Sequence, residues 1–147
     1  MKIYKAQGFT LLEVLLSIAT ISIIAGISIS IYQSFQVKND LDITANTWVQ
    51  TLRRAQVLSE AVDGDSAWGV KIQPDGLILF KGVNYAARDT NFDEIFQVPT
   101  SISASGTTEV VFTKFTGLPQ VIGTTTLTAS TGEIRVITIN DKGTLTY

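Results

Sequence analysis

The chain has 147 residues, no cysteine, no histidine and a formal net charge of −2. Without cysteine it can form neither a disulfide nor a thiolate metal site, and without histidine it lacks the commonest general base and the commonest transition-metal ligand. The slightly acidic balance argues against nucleic acid as a partner. We therefore expect no cofactor, no catalytic residues and no metal centre.

A short basic leader opens the chain and ends at Gly8, directly before Phe9. From Phe9 to Ile31 the only charged side chain is that of Glu13. About 20 apolar residues span a bilayer core as a helix. The sequence therefore predicts a transmembrane helix over residues 9–31.

The charges on either side of this segment predict its orientation. Lys2 and Lys5 precede it, whereas Asp40 and Asp42 outnumber Lys38 after it. Because the basic side of a span stays in the cytoplasm, we expect a single-pass protein of the inner membrane with its C-terminus outside.

The residues around the junction, Lys5-Ala6-Gln7-Gly8-Phe9-Thr10-Leu11 with Glu13 shortly after, resemble the class III signal of type IV prepilins and type II secretion pseudopilins. The resemblance implies that a prepilin peptidase removes residues 1–8 by cutting after Gly8 and methylates the new amino group of Phe9. It also implies assembly into a pilus or pseudopilus on an inner-membrane platform with other pilin subunits. The expected location is the membrane first, and then a cell-surface or periplasmic filament.

Glu13 is unusual in so apolar a segment. A carboxylate at the centre of a membrane helix costs about 2.5–3.5 kcal/mol on insertion scales and suggests a function. One interpretation is that Glu13 complements the helix dipole in the first turn. We favour the interpretation that it pairs with the amino group of Phe9 on a neighbouring subunit, because an unpaired buried charge is expensive. The resemblance implies the same assembly role.

The apolar segment has two other interpretations that involve a membrane. A secretory signal peptide also has a basic start and an apolar stretch, and Ser28-Ile29-Ser30 has the small residues of a cleavage site. Its apolar region, however, is about 7–15 residues long and carries no Glu. A plain single-span anchor leaves Gly8-Phe9 and Glu13 as coincidences.

Helical periodicity continues beyond the apolar segment. Steps of three and four place one set of residues on a single face: Leu41, Ala45, Trp48, Leu52, Ala55, Ser59 and Val62. Residues 32–62 are therefore predicted to be the amphipathic half of the same helix, which ends at Asp63-Gly64-Asp65.

Residues 63–147 are predicted to form an antiparallel β head whose apolar face covers the helix. Seven runs are predicted to be strands, and residues 84–93 are predicted to be a polar loop. The runs are Trp68–Ile72, Leu77–Phe80, Ile95–Val98, Glu109–Phe112, Thr124–Thr128, Ile134–Ile139 and Thr144–Tyr147. The fold class is thus α+β, a long helix packed on a small antiparallel β domain.

The head resembles the H-type minor pseudopilins and FimT-like minor pilins. The resemblance is carried by Val111-Phe112-Thr113, by Gly117-Leu118-Pro119 and by Ile137-Thr138-Ile139-Asn140 before Gly143. It implies two small antiparallel sheets packed against the helix. DNA-binding members of that group have a basic C-terminal end, whereas this chain ends in Gly143-Thr144-Leu145-Thr146-Tyr147.

Three functions follow from these patterns. The leading one is a structural filament subunit, and the alternative is a filament-borne binding module for DNA uptake or surface adhesion. A membrane-anchored enzyme is third, because no catalytic constellation is present. Asp63 and Asp65 are candidates for a calcium site, but calcium takes roughly 6–8 oxygen ligands, so a helix-ending turn explains them better.

Overall fold

The computed structural model describes residues 8–147, with the side chains of residues 27–31 excepted. The predicted leader lies outside these residues apart from Gly8, as do the side chains of Ser28 and Ser30. Helix α1 spans Leu11–Glu60, and a short 3-10 turn spans Asp63–Asp65. Eight strands follow: β1 (Trp68–Gln73), β2 (Gly76–Lys81), β3 (Asp89–Phe96), β4 (Ile102–Gly106), β5 (Glu109–Phe112), β6 (Gly123–Ala129), β7 (Ile134–Ile139) and β8 (Leu145–Thr146).

The strands form two antiparallel sheets of four strands each. Sheet A has the order β3-β2-β1-β5, and sheet B has the order β4-β6-β7-β8. The chain passes from sheet B to sheet A between β4 and β5, which are consecutive edge strands. The prediction of an α+β fold with a helix packed on antiparallel strands is confirmed.

The chain divides into two units, whose boundary in the sequence lies between Phe35 and Gln36. The first contains the beginning of α1, and the second contains the rest of α1 and both sheets.

The prediction of a single-pass membrane protein is wrong. Among the described residues, no helix combines the length and the apolarity needed to cross a bilayer. The predicted inner-membrane localisation is therefore wrong as well.

One face of α1 forms the centre of the core in the second unit. Leu41, Trp48, Leu52 and Ala55 are each at most 1% exposed. They pack against the inner faces of both sheets, in a cluster to which sheet A contributes Val70, Leu77, Leu79, Val110 and Phe112, and sheet B contributes Ile102, Leu127, Ala129, Ile137 and Ile139. Burial of apolar surface at about 25 cal/mol per Å² makes this cluster the main source of stability.

Sheet A is buried on its outer face as well. Ile78, Phe80 and Val111 form a second buried cluster there, and the side chain of Tyr85 packs against it. The ring of Tyr85 meets that of Phe80 edge to face, with 5.6 Å between the centroids. The segment between β2 and β3 therefore covers this face of the sheet.

Ion pairs join α1 to each sheet. Arg54 makes a bidentate pair with Glu94 of β3, with both N–O distances 2.6 Å. Arg135 of β7 binds Asp42, with 2.7 Å between Nη2 and Oδ1. Such half-exposed pairs contribute only about 0–1 kcal/mol each, so they orient the helix more than they stabilise it.

The helix ends through a change of backbone conformation. Val62 and Gly64 have φ of 56° and 61°, which places both in the left-handed region. Glycine adopts this conformation without strain, but a β-branched residue such as Val62 does so rarely. The turn brings the chain directly into β1.

Candidate functional site

Residues 8–24, which we call the amino-terminal segment, include the first turns of α1 and the residues predicted to be cleaved, methylated and used for assembly. Thr10 caps the helix: its side-chain Oγ1 accepts a hydrogen bond from the backbone N–H of Glu13 at 3.3 Å. Its backbone carbonyl accepts from the same N–H at 3.1 Å. Thr10-Leu11-Leu12-Glu13 has the spacing of a capping box. The cap was not predicted from the sequence, although the Thr-x-x-Glu spacing is a local signal for it.

The described side chains of this helical segment are exposed on every side. Large apolar residues between positions 9 and 24 are 44% to 81% exposed, and they occupy successive positions rather than a stripe: Phe9, Leu11, Leu12, Val14, Leu15, Leu16, Ile18, Ile21, Ile23 and Ile24. A helix that is apolar all round is ordinarily buried. The segment therefore presents an apolar surface that the described residues leave uncovered.

The hydroxyl groups of the segment are satisfied locally. Ser17 donates to the carbonyl of Glu13 at 2.7 Å, Thr20 to that of Leu16 at 2.9 Å, and Ser22 to that of Ile18 at 2.8 Å. These bonds follow the usual pattern of serine and threonine inside helices. They remove the polar character of the hydroxyls from the surface of the helix, which leaves the Glu13 carboxylate as its main polar group.

The Glu13 carboxylate lies in the first turn of α1, where the helix dipole favours a negative charge. Its side chain is exposed and has neither an ion pair nor a hydrogen bond within the part of the chain that the structure describes. The backbone N–H of Glu13 is hydrogen-bonded to Thr10, whereas the side-chain carboxylate is available to bind a partner.

Gly8 stands in open surroundings. A Cβ atom added to it would meet nothing within 4 Å, apart from its chain neighbours. Phe9, immediately after it, is 81% exposed. The peptide bond predicted to be cut is therefore accessible, and a larger residue at position 8 would not disturb the packing of this chain.

Of the two aspartates considered for calcium, Asp65 has another partner for its carboxylate, and Asp63 contributes a backbone contact. Asp65 forms a salt bridge with Lys114, and this hydrogen bond and the positive charge of Lys114 lower the pKa of Asp65. The backbone carbonyl of Asp63 accepts a hydrogen bond from the indole N–H of Trp68 at 3.0 Å. Among the described residues, no group of three or more acidic side chains is arranged to hold a metal ion.

The three carboxylates of β3, those of Asp89, Asp93 and Glu94, also have partners. Asp93 binds the guanidinium of Arg88, with 2.9 Å between Nε and Oδ2, and Glu94 binds Arg54. The hydrogen bond from Arg88 to Asp93 and the negative charge of Asp93 raise the pKa of Arg88. Asp89 accepts a hydrogen bond from the side chain of Asn91 at 2.9 Å. Two of the three carboxylates of β3 are therefore held in ion pairs.

A groove of about 520 Å³ lies between the end of β1 and β4. Its apolar lining includes Ile72, Pro74, Val98 and Ile102. The sequence alone does not predict it, because residues from separate segments form it and no local pattern connects them.

Comparison of the chain with family models, with curated proteins and with solved structures finds no match.

Proposed function

We propose that this protein is a structural subunit of a filament of the type IV pilus or type II secretion pseudopilus kind. In this proposal a prepilin peptidase removes the leader, and the subunit then assembles with other pilin subunits through the first part of α1. The fold in this proposal is pilin-like, with an apolar first part of the helix and a packed second part.

The exposed apolar surface of residues 9–24 is the observation that carries the proposal. Leaving so much apolar area in water is unfavourable by about 25 cal/mol per Å², and the exposure extends around the whole helix. A bundle of identical helices from neighbouring subunits covers such a surface on all sides. A binding partner that covers one face leaves the rest exposed.

Glu13 gives such a bundle its register. Once cleavage creates the amino group of Phe9, an amine and a carboxylate stand four positions apart on every subunit. In a bundle of low dielectric constant, a displaced neighbour leaves both charges unpaired, which is strongly unfavourable. The pairing between subunits therefore selects one axial position.

Three substitutions separate this role from that of a helix cap. Glu13→Gln removes the charge but keeps a side chain that a capping box accepts. Glu13→Ala removes both the charge and that side chain. Thr10→Ala removes the capping hydroxyl but keeps the charge. We expect both Glu13 variants to be processed normally and to be strongly depleted from sheared filaments on immunoblots. Thr10→Ala should assemble. Normal assembly of Glu13→Gln combined with failure of Thr10→Ala would assign Glu13 to the cap alone.

Processing provides a separate test of the proposal. Intact-mass spectrometry of the subunit co-expressed with a prepilin peptidase should show a chain that begins at Phe9 and carries one added methyl group. Gly8→Leu should keep the leader, and because position 8 has open space, its thermal unfolding should match that of the uncleaved parent. A mature chain that begins near Tyr32 would contradict the proposal.

A further inference from the structure

Three of the four outer sheet edges among the described residues are protected against pairing with another chain. The β3 edge carries the carboxylates of Asp89, Asp93 and Glu94, and β8 is only two residues long. The β5 edge is covered by the following loop, which makes a bridge from Pro119 to Phe112. Charges, short strands and covering loops are the usual means of protecting a sheet edge.

The fourth edge, β4, has none of these protections. Its sequence, Ile-Ser-Ala-Ser-Gly over residues 102–106, is uncharged and contains no proline. It pairs with β6 on one side only. An edge of five residues is long enough to accept another strand.

The hydrogen bonds at the two ends of β4 show which backbone groups face outward. Ser130 N–H donates to the Ser101 carbonyl at 2.8 Å, and Thr107 N–H donates to the Thr124 carbonyl at 2.9 Å. In an antiparallel pair the residues alternate in direction, so the odd-numbered residues of β4 face β6. Ala104 therefore turns its N–H and C=O to the open edge, without a strand partner among the described residues.

The groove between β1 and β4 runs along this open edge, because Ile102 and Ala104 belong to its lining. A strand added to β4 would direct alternate side chains into it. The volume of about 520 Å³ accommodates an aliphatic side chain, and the apolar wall formed by Ile72 and Val98 favours one.

Two charged residues line the groove, and only one of them is neutralised. Lys71 Nζ lies 3.0 Å from Glu109 Oε2. Asp75, in the exposed turn between β1 and β2, has no ion pair within the described part of the chain. The uncompensated charge in the groove lining is therefore negative.

We propose that β4 and the adjoining groove bind an extended segment of a partner protein as a fifth strand of sheet B. The segment places an aliphatic side chain in the groove and a lysine or arginine beside Asp75. Backbone hydrogen bonds to Ala104 provide affinity, and the groove and Asp75 provide selectivity, as in other cases of strand addition. This inference does not depend on the role of α1 in assembly.

Synthetic peptides test this proposal on the full chain kept in a mild detergent. The probe is an acetylated and amidated hexapeptide, Thr-Val-Thr-Val-Thr-Lys, compared with the same peptide ending in Glu. A third peptide carries N-methyl groups on every backbone nitrogen, so neither edge can donate to β4. Amide chemical shifts locate the binding site, and fluorescence anisotropy of labelled peptides gives the affinities.

We expect the Lys peptide to shift the amides of Ile102 and Ala104 and to bind about fivefold more tightly than the Glu peptide, the scale of a screened surface charge. Asp75→Lys should reverse this preference, whereas the matched control Asp141→Lys, in the turn between β7 and β8, should leave it unchanged. The N-methylated peptide should not bind. Absence of binding, equal affinity of the Lys and Glu peptides, or tight binding of the N-methylated peptide would each overturn the proposal.

Discussion

The hydroxyl of Ser59 accepts a hydrogen bond from the backbone N–H of Trp68 at 2.9 Å. Ser59 lies in the last turn of α1 and is fully buried, and Trp68 is the first residue of β1. The backbone carbonyl of Ser59 also accepts from Phe115 N–H at 3.1 Å. One small residue thus fixes the end of the helix to sheet A and to the loop after β5.

Replacing Ser59 with alanine tests this relationship. The substitution leaves the Trp68 N–H buried without a partner, which costs about 1–3 kcal/mol. We expect a lower urea midpoint with an unchanged slope. Ser105→Ala, at an exposed hydroxyl, should change the free energy of unfolding by less than about 0.5 kcal/mol. Equal midpoints for the two variants would show that the Ser59 hydrogen bond is not needed.

Replacing Gly69 and Gly26 with alanine should change stability in opposite directions. A Cβ at Gly69 would lie 2.5 Å from Phe80 Cζ and 2.8 Å from Val111 Cγ2, both on buried side chains. Gly69→Ala should therefore destabilise the protein by about 1–3 kcal/mol through overpacking. At Gly26, in the interior of α1, a Cβ meets nothing within 4 Å outside the local helix backbone, and alanine should stabilise the helix by about 0.5–1 kcal/mol. Urea unfolding and far-ultraviolet circular dichroism measure the two effects.

The Asp65–Lys114 pair predicts a pH dependence of stability. The hydrogen bond from Lys114 and its charge hold the pKa of Asp65 below its ordinary value of 3.8. A lowered pKa in the folded state means that the unfolded state binds more protons in this range. The contribution is therefore full above the unfolded pKa and is lost as the pH falls through the folded one.

Asp65→Asn should remove this contribution at pH 7 and leave no difference from the parent in strong acid. Asn tolerates the positive φ of 58° at this position, so the backbone is preserved. The effect should be small, because Asp65 is exposed and its charge is screened by solvent. In a Lys114→Gln background the pH dependence should disappear. A difference that persists in acid would assign the effect to the backbone instead.

Fragments of the chain test whether α1 belongs to the core. A fragment of residues 36–147 contains Leu41, Trp48 and Leu52, so it should be monomeric and melt cooperatively. A fragment of residues 63–147 exposes the sheet faces that these side chains cover, and such apolar patches promote aggregation. Size-exclusion chromatography and thermal melts measure both. A monomeric shorter fragment with a cooperative melt would show that the sheets need no helix.

The elements best predicted from the sequence are those whose pattern is local. The period of three and four identifies the buried face of α1 from Leu41 to Ser59. Its last member, Val62, lies beyond the end of the helix, because the chain leaves the helical conformation there. Most strands with Val, Ile or Phe on alternate positions are also predicted by their local pattern.

The elements missed are those that depend on distant partners. The polar residues from Asp89 onward read as a loop in the sequence, yet they form the first half of β3, whose side chains stay exposed at a sheet edge. Strand β4 is not predicted either, because serine, alanine and glycine have low β-propensity. β4 is a strand because it pairs with β6, which lies about 20 residues further along the chain. The groove beside it has no sequence signal for the same reason, since separate segments form it.

In the proposed filament, the continuity of α1 from Leu11 to Glu60 has a consequence for how subunits associate. Initiating a helix is the unfavourable step, and extending one is easy. The turns packed in the core act as a permanent nucleus, from which the exposed turns are extended at little cost. Under this proposal the first turns of α1 are already helical when a neighbouring subunit binds, so less conformational entropy is lost on association. Substitutions that disrupt the core around Trp48 should then weaken assembly, although they change no residue of the proposed contact surface at residues 9–24.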